Sequence, residues 1–142
     1  FTLAFVMDPT LPDTSFFVCH QHCPENFWNP EFQMHPNGAA DIRDVTLEVA
    51  EPSRHARFLS GYVGVAGDGD GRGGLVFPLR EGGRLIVGRR ATGTGICGFT
   101  VAVPDLAAAA ARLAGNGVPF RRADGRIAVD AFGLTIGFRK PD

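Results

Sequence analysis

Cysteine is scarce in this chain: its 142 residues hold three, an odd count too low for a disulfide scaffold. That favours a reducing compartment, and the chain is expected to be cytoplasmic. No apolar run approaches the ~18 residues a membrane helix needs, and no basic stretch followed by an apolar core opens the sequence. Net charge is nearly absent, 14 basic residues against 15 acidic giving −1, so neither nucleic acid nor a membrane surface is indicated as a partner. Also missing are a GxGxxG leading into a helix, a P-loop lysine, a CxxC pair, a nucleophile elbow and any Ser-His-Asp order. These absences remove the nucleotide-binding, dithiol-redox and serine-hydrolase readings.

What is present is a repeat. Asp44 to Glu51 laid over Gly98 to Asp105 keeps its apolar alternation in phase, and both runs end in an acidic residue. The same offset of 54 sets Leu59 on Leu113 and Gly61 on Gly115, so a helix and its glycine stop recur. After a change in loop length, Gly83–Val87 falls on Gly133–Gly137. Two tandem β-α-β-β-β units follow, at residues 41–90 and 96–142, with the short strands and tight turns that 19 glycines and 10 prolines suit. A chain of this length can bury roughly 68% of its unfolded surface, so a real core is available.

Within the first unit the pattern predicts a strand over residues 42–50 with Val45, Leu47 and Val49 on one face. A helix should begin at Pro52, run to about Ser60 and bury Ala56, Phe58 and Leu59. Gly67–Gly74 reads as a solvated hairpin turn; Asp68 and Asp70 hint at calcium but lack the twelve-residue loop and its closing Glu. In the second unit Asp105 is placed to cap a helix running through Ala114, and Ala123-Asp124-Gly125 supplies a tight turn. Residues 1–40 form a further region, an N-terminal hairpin (Phe1–Val6 with Ser15–His20) followed by a connector. The hairpin is expected to pair with the main sheet's edge, a partner chain or further modules, because two strands alone are marginal. The connector's Phe27, Trp28 and Phe32 are expected to lie against something apolar.

An apolar strand closing on Pro104-Asp105, an Ala/Leu helix, Val118-Pro119-Phe120, and the Asp130-x-x-Gly133-x-x-Ile136 run leading into the last strand together resemble the vicinal oxygen chelate, or glyoxalase-like, superfamily. The stretch Phe16–Trp28 is similar to a segment that joins module pairs in larger members, which implies that this chain is the rear part of a longer polypeptide. The resemblance implies an α+β fold of paired β-α-β-β-β modules, mixed curved sheets with the N-terminal hairpin added. It also implies a concave face on which a His early in a first strand and a Glu in a last strand hold a divalent metal. Carried across, the His positions are Asp44 and Gly98 and the Glu positions are Val87 and Gly137. Asp44 alone among these could ligate, and a catalytic ion needs about three protein ligands. Asp44 reads equally as a strand-edge acid paired with Arg43 or solvent.

Cys19-His20-Gln21-His22-Cys23 offers a second place for a metal. By the strand period of two, His20 and His22 share a face and could contribute to a Zn, Fe, Ni or Mn site, provided Glu25 or a residue from elsewhere completes it. Hydrogen bonding to the connector accounts for them as well. Trp28 could floor an apolar pocket or belong to the core. His35 and His55 read as surface residues, His55 exposed on a helix face with Arg54 and Arg57, and Cys97 as an inert strand residue.

The expectation is therefore a glyoxalase-like protein acting on or binding a small organic molecule, with metal-assisted lyase, isomerase or dioxygenase chemistry implied by the resemblance. Two alternatives stand beside it. One is a binding module without catalysis, like the bleomycin-resistance branch; the other is a degenerate structural half that supports an active half or mediates homodimerisation.

Overall fold

The computed structural model describes residues 1–141. It contains an N-terminal hairpin, β1 (Thr2–Val6) and β2 (Phe16–His20), then a one-turn helix α1 (Pro30–Gln33). The first repeat unit follows as β3 (Asp41–Val49), α2 (Ala56–Val63), β4 (Asp68–Gly69), β5 (Leu75–Pro78) and β6 (Arg84–Arg89). The second is β7 (Gly95–Ala102), α3 (Leu106–Gly115), β8 (Arg121–Ala123), β9 (Arg126–Ala131) and β10 (Leu134–Arg139). These strands make one mixed sheet in the order β4-β5-β6-β3-β7-β10-β9-β8.

Outward from its centre that order reads the same in both directions. Each first strand lies parallel to its own unit's last strand, while β3 and β7 meet antiparallel across the middle. The strand period of two then assigns the faces. Val45, Leu47, Val49, Leu85, Val87, Phe77, Ile127 and Val129 share the side covered by the helices, and all but Val45 are buried. Burying side chains such as Leu59, Leu47 and Phe77 stabilises the fold by ~1.5–3 kcal/mol each.

Local signals explain the helices. Asp105 caps α3, its carboxylate accepting from the amides of Ala107 at 2.8 Å and Ala108 at 2.9 Å. Pro52 opens a 3-10 turn, Pro52–His55, that leads into α2. The helix passes through Gly61 and ends at Val63, one turn later than the sequence indicated. The stop is Gly64, whose φ of 85° is the left-handed conformation that a helix end requires and glycine adopts without strain. In α3 the corresponding left-handed residue is Gly117, beyond Gly115.

The ladders also correct the sequence overlay of the last strands by one residue. Val45 stands beside Leu85 and Phe99 beside Ile136, so Leu85 corresponds to Ile136 and Ile86 to Gly137. A slip of one reverses every side chain's face. Gly133 sits in a two-residue turn with φ 76°, whereas Gly83 follows a 3-10 turn at φ −72°, and the unlike loops misplace a glycine-anchored overlay.

The hairpin forms a sheet of its own rather than an extension of the main sheet's edge. Its root is nevertheless held firmly. Leu11, in the turn, has no exposed surface and belongs to the core with Leu47, Leu59, Phe77 and Val87. Phe16 packs edge-on against Phe58 and Tyr62 of α2, each at 5.1 Å, and the Tyr62 hydroxyl donates to the Phe17 carbonyl at 2.9 Å. By contrast, residues 21–40 bury no side chain, and Phe27, Trp28 and Phe32 are exposed, contrary to the packed connector expected. Their proline-punctuated path lies outside the core.

Candidate functional site

The sheet face turned away from the helices carries the positions at which the resemblance places a metal. Asp44, Thr46 and Glu48 of β3 share it with Arg84 of β6, Gly98 and Thr100 of β7, and Thr135, Gly137 and Arg139 of β10. Asp44 is 1% exposed and does not pair with Arg43, which binds Asp41 and the Glu81 carbonyl. Its carboxylate accepts from Arg84 Nε at 2.7 Å and Nη2 at 3.0 Å, and Arg139 Nε approaches its other side at 3.7 Å. A carboxylate with two guanidinium neighbours has little electron density left to share with a cation.

The other positions hold no donor. With the corrected register they are Gly98, Gly137 and Ile86; Val87 instead points into the core. Gly98 has no room for a side chain of any kind, since a Cβ there would run into the Thr135 carbonyl oxygen on the neighbouring strand. At Gly137 a Cβ would meet the Thr100 hydroxyl at 2.9 Å. The backbone packing that closes β7 onto β10 thus occupies the space a ligating side chain would need, and the residues of this face do not fit a resident divalent metal.

His20 and His22 do come together, their rings 4.9 Å apart, with His22 Nε2 bonded to the Thr2 hydroxyl at 2.8 Å. Among the described residues no group of three or more His, Cys, Asp or Glu is arranged to hold a metal ion. Glu25 lies in an exposed 3-10 turn, Pro24–Asn26, and the Trp28 ring is exposed. Neither borders the cavities described next.

The sequence did not mark the best-formed polar cluster. His55 is 4% exposed, not on a solvent face as its Arg neighbours indicated. The reason is its place in the 3-10 turn before α2, where successive side chains are set about a third of a turn apart, so His55 faces inward while Arg54 and Arg57 stay exposed. Its Nδ1 lies 3.3 Å from Asp8 Oδ2 and 3.2 Å from the Thr10 hydroxyl, which donates to Asp8 Oδ1 at 2.6 Å. The Thr10 hydroxyl and amide hold the Asp8 carboxyl below the usual aspartate range, with His55 adding to the effect. The one available signal was Asp8-Pro9-Thr10, an Asx-turn sequence whose partner lies 47 residues away.

Asp8 and Thr10 form one wall of a cleft of about 760 Å³ between the hairpin and α2. Its floor is apolar, from Val6, Val18, Phe58 and Tyr62, and Arg54 and Arg57 stand at its lip. Ligand sites typically enclose roughly 300–1,000 Å³ and combine apolar walls with a few polar groups. Arg54 and Arg57 outnumber the single carboxylate of Asp8, so the charged residues lining the cleft carry a net positive charge.

No family model matches the chain, and no curated protein sequence does. Solved structures do. Methylmalonyl-CoA epimerase from Mycobacterium tuberculosis superposes with a TM-score of 0.60 at 17% identity, over 80% of this chain and 96% of that one. The 2,3-dioxygenase LapB from Pseudomonas sp. KL28 gives a TM-score of 0.60 at 21% identity, over 72% of this chain but 41% of its own length. Streptomyces coelicolor methylmalonyl-CoA epimerase gives 0.50 at 14% identity, over 70% of this chain and 96% of that one. Identities this low speak to fold alone, and the fold of this chain is the glyoxalase-like α+β arrangement of two β-α-β-β-β units on one mixed sheet.

Proposed function

We propose that this chain is a cytoplasmic small-molecule-binding protein whose binding needs no metal ion, and that it takes an organic anion with an apolar body in the cleft between the hairpin and α2. The observation that carries the reading is the state of Asp44: the one carboxylate at a ligand position is held by Arg84 and Arg139. With Gly98, Gly137 and Ile86 beside it, the sheet face has lost the donor set that lyase, isomerase or dioxygenase chemistry on a metal would use. The cleft supplies what an anion of moderate size requires, an apolar floor and two arginines at the lip. Isothermal titration with octanoate in chelator-containing buffer tests it. Saturable binding that is lost in an Arg54→Gln/Arg57→Gln variant supports the proposal; no heat of binding, or heat equal in the variant, refutes it.

A second reading has its own support. Phe1, Leu3, Phe5 and Phe17 leave much of the hairpin's apolar surface exposed, which suits a degenerate half that docks on another module or a second copy of itself. A concentration-dependent mass by light scattering, abolished by Phe5→Ser, would favour it. His20 and His22 would then serve a Zn, Fe, Ni or Mn ion only with donors from beyond the described residues. Elemental analysis of the wild type and a His20→Ala/His22→Ala variant decides that point.

A further inference from the structure

A second cavity, of about 230 Å³, lies on the other side of the Phe16–Tyr62 contact, between the hairpin turn and the helix-covered face of the sheet. Val45, Leu47 and Leu85 form its floor, Val63 one wall, and the half-exposed Ile96 and Leu79 its mouth. No residue around it is charged. One feature of its lining is out of keeping with so apolar a setting. Thr14 is 5% exposed, and its Oγ1 has no hydrogen-bond partner among the described residues. Its backbone is settled, the amide donating to the Leu11 carbonyl at 3.1 Å, so the turn is held in place without the hydroxyl. A buried, unpartnered hydroxyl costs ~1–3 kcal/mol, and apolar residues of the same shape would avoid that cost. Of the other two hydroxyl residues in the lining, Tyr62 is already engaged with the Phe17 carbonyl, and Ser15 is exposed to solvent, so Thr14 alone among them is buried without a partner.

We propose that this cavity is a binding site for a compact, uncharged, mostly apolar molecule carrying one hydroxyl or carbonyl oxygen, which pairs with Thr14. Three features set that class. The volume lies below the range of ordinary ligand pockets, so the guest is the size of a substituted benzene ring rather than a cofactor. The absence of any charge in the wall excludes ions, because an unpaired buried charge is far costlier than a buried hydroxyl. A threonine hydroxyl both donates and accepts, so a single oxygen on the guest, alcohol or ketone, is sufficient to satisfy it. The site lies on the opposite face of the sheet from the metal positions and does not depend on the reading of the larger cleft.

The test uses two probes that differ by one oxygen, p-cresol and toluene, followed by ligand-observed and amide NMR on the intact chain. In the wild type p-cresol should bind about fivefold more tightly than toluene, the worth of one added hydrogen bond. Thr14→Val keeps the shape and deletes the hydroxyl; it should leave toluene binding unchanged and bring p-cresol down to it. Leu79→Trp, at the mouth, should weaken both probes together while the unfolding midpoint stays the same. Equal affinities for the two probes in the wild type, an undiminished p-cresol preference in Thr14→Val, or no saturable binding of either would each overturn the proposal.

Discussion

Replacing Asp44 with Asn should destabilise this protein severely although the change is nearly isosteric. The carboxylate is 1% exposed and takes two hydrogen bonds from Arg84, with Arg139 at 3.7 Å on its far side. Asp44→Asn leaves those two guanidiniums facing an amide in a site where Arg139 is itself buried. Breaking a buried ion pair from one side costs ~3–5 kcal/mol, and the partial exposure of Arg84 places this case near 3 kcal/mol. A chain of this length loses about 0.3 kcal/mol of stability per degree near its midpoint, so Tm should fall by about 10 °C. The assay is thermal unfolding followed by circular dichroism, with the exposed Arg121–Asp130 pair as control, where Asp130→Asn should move Tm by no more than about 2 °C. Adding millimolar Zn, Mn, Fe or Ni should leave the wild-type Tm unchanged. A small Tm loss in Asp44→Asn together with metal stabilisation of the wild type would refute the reasoning, because it would make Asp44 a free ligand rather than a structural anchor.

Other consequences follow from single residues. The Asp8 carboxyl is held below its ordinary value in the folded state, so the stability it contributes is fully present above the usual aspartate range and is lost as pH falls through its lowered pKa. Melts below about pH 4 should therefore show a steeper acid loss in the wild type than in Asp8→Asn. Phe132 is 99% exposed with φ 55° in the turn before Gly133, and Phe132→Asn should raise stability by ~0.5–1 kcal/mol in a denaturant titration, since Asn-Gly suits that turn. Burial raises the Cys97 thiol pKa, and Cys19 and Cys23 are exposed, so iodoacetamide followed by mass spectrometry should find Cys97 the slowest to react.

The duplicated core was legible because its signals are local. Alternation in β3 and β7, the Asp105 cap and the turn at Asp124-Gly125 each declare themselves within a few residues, and the structure has them all. Register was harder. Gly83 and Gly133 look alike in sequence but sit in different loops, and one residue of slip put Val87, a core residue, on the ligand face. Contacts across the chain left no local trace at all. Nothing in the turn Asp8–Ser15 announces that Leu11 fills the core or that Asp8 reaches His55, because both depend on where the hairpin folds back over α2. His55 misled for a related reason: helical periodicity was extended through Pro52–His55, where the backbone is a 3-10 turn. The connector misled in the opposite sense, since aromatic content is normally a sign of packing and here Trp28 and Phe32 are left in solvent.

The central question is where a ligand sits and whether a metal is needed to hold it there. Amide chemical-shift mapping of the chain titrated with octanoate in the presence of a chelator asks both at once. Saturating shifts are expected at Val18, Arg54, Gly61 and Tyr62, around the hairpin cleft, and none at Thr46, Gly98 or Gly137. Shifts confined to Thr46, Gly98 and Gly137, or appearing only after a divalent metal is added, would contradict that expectation.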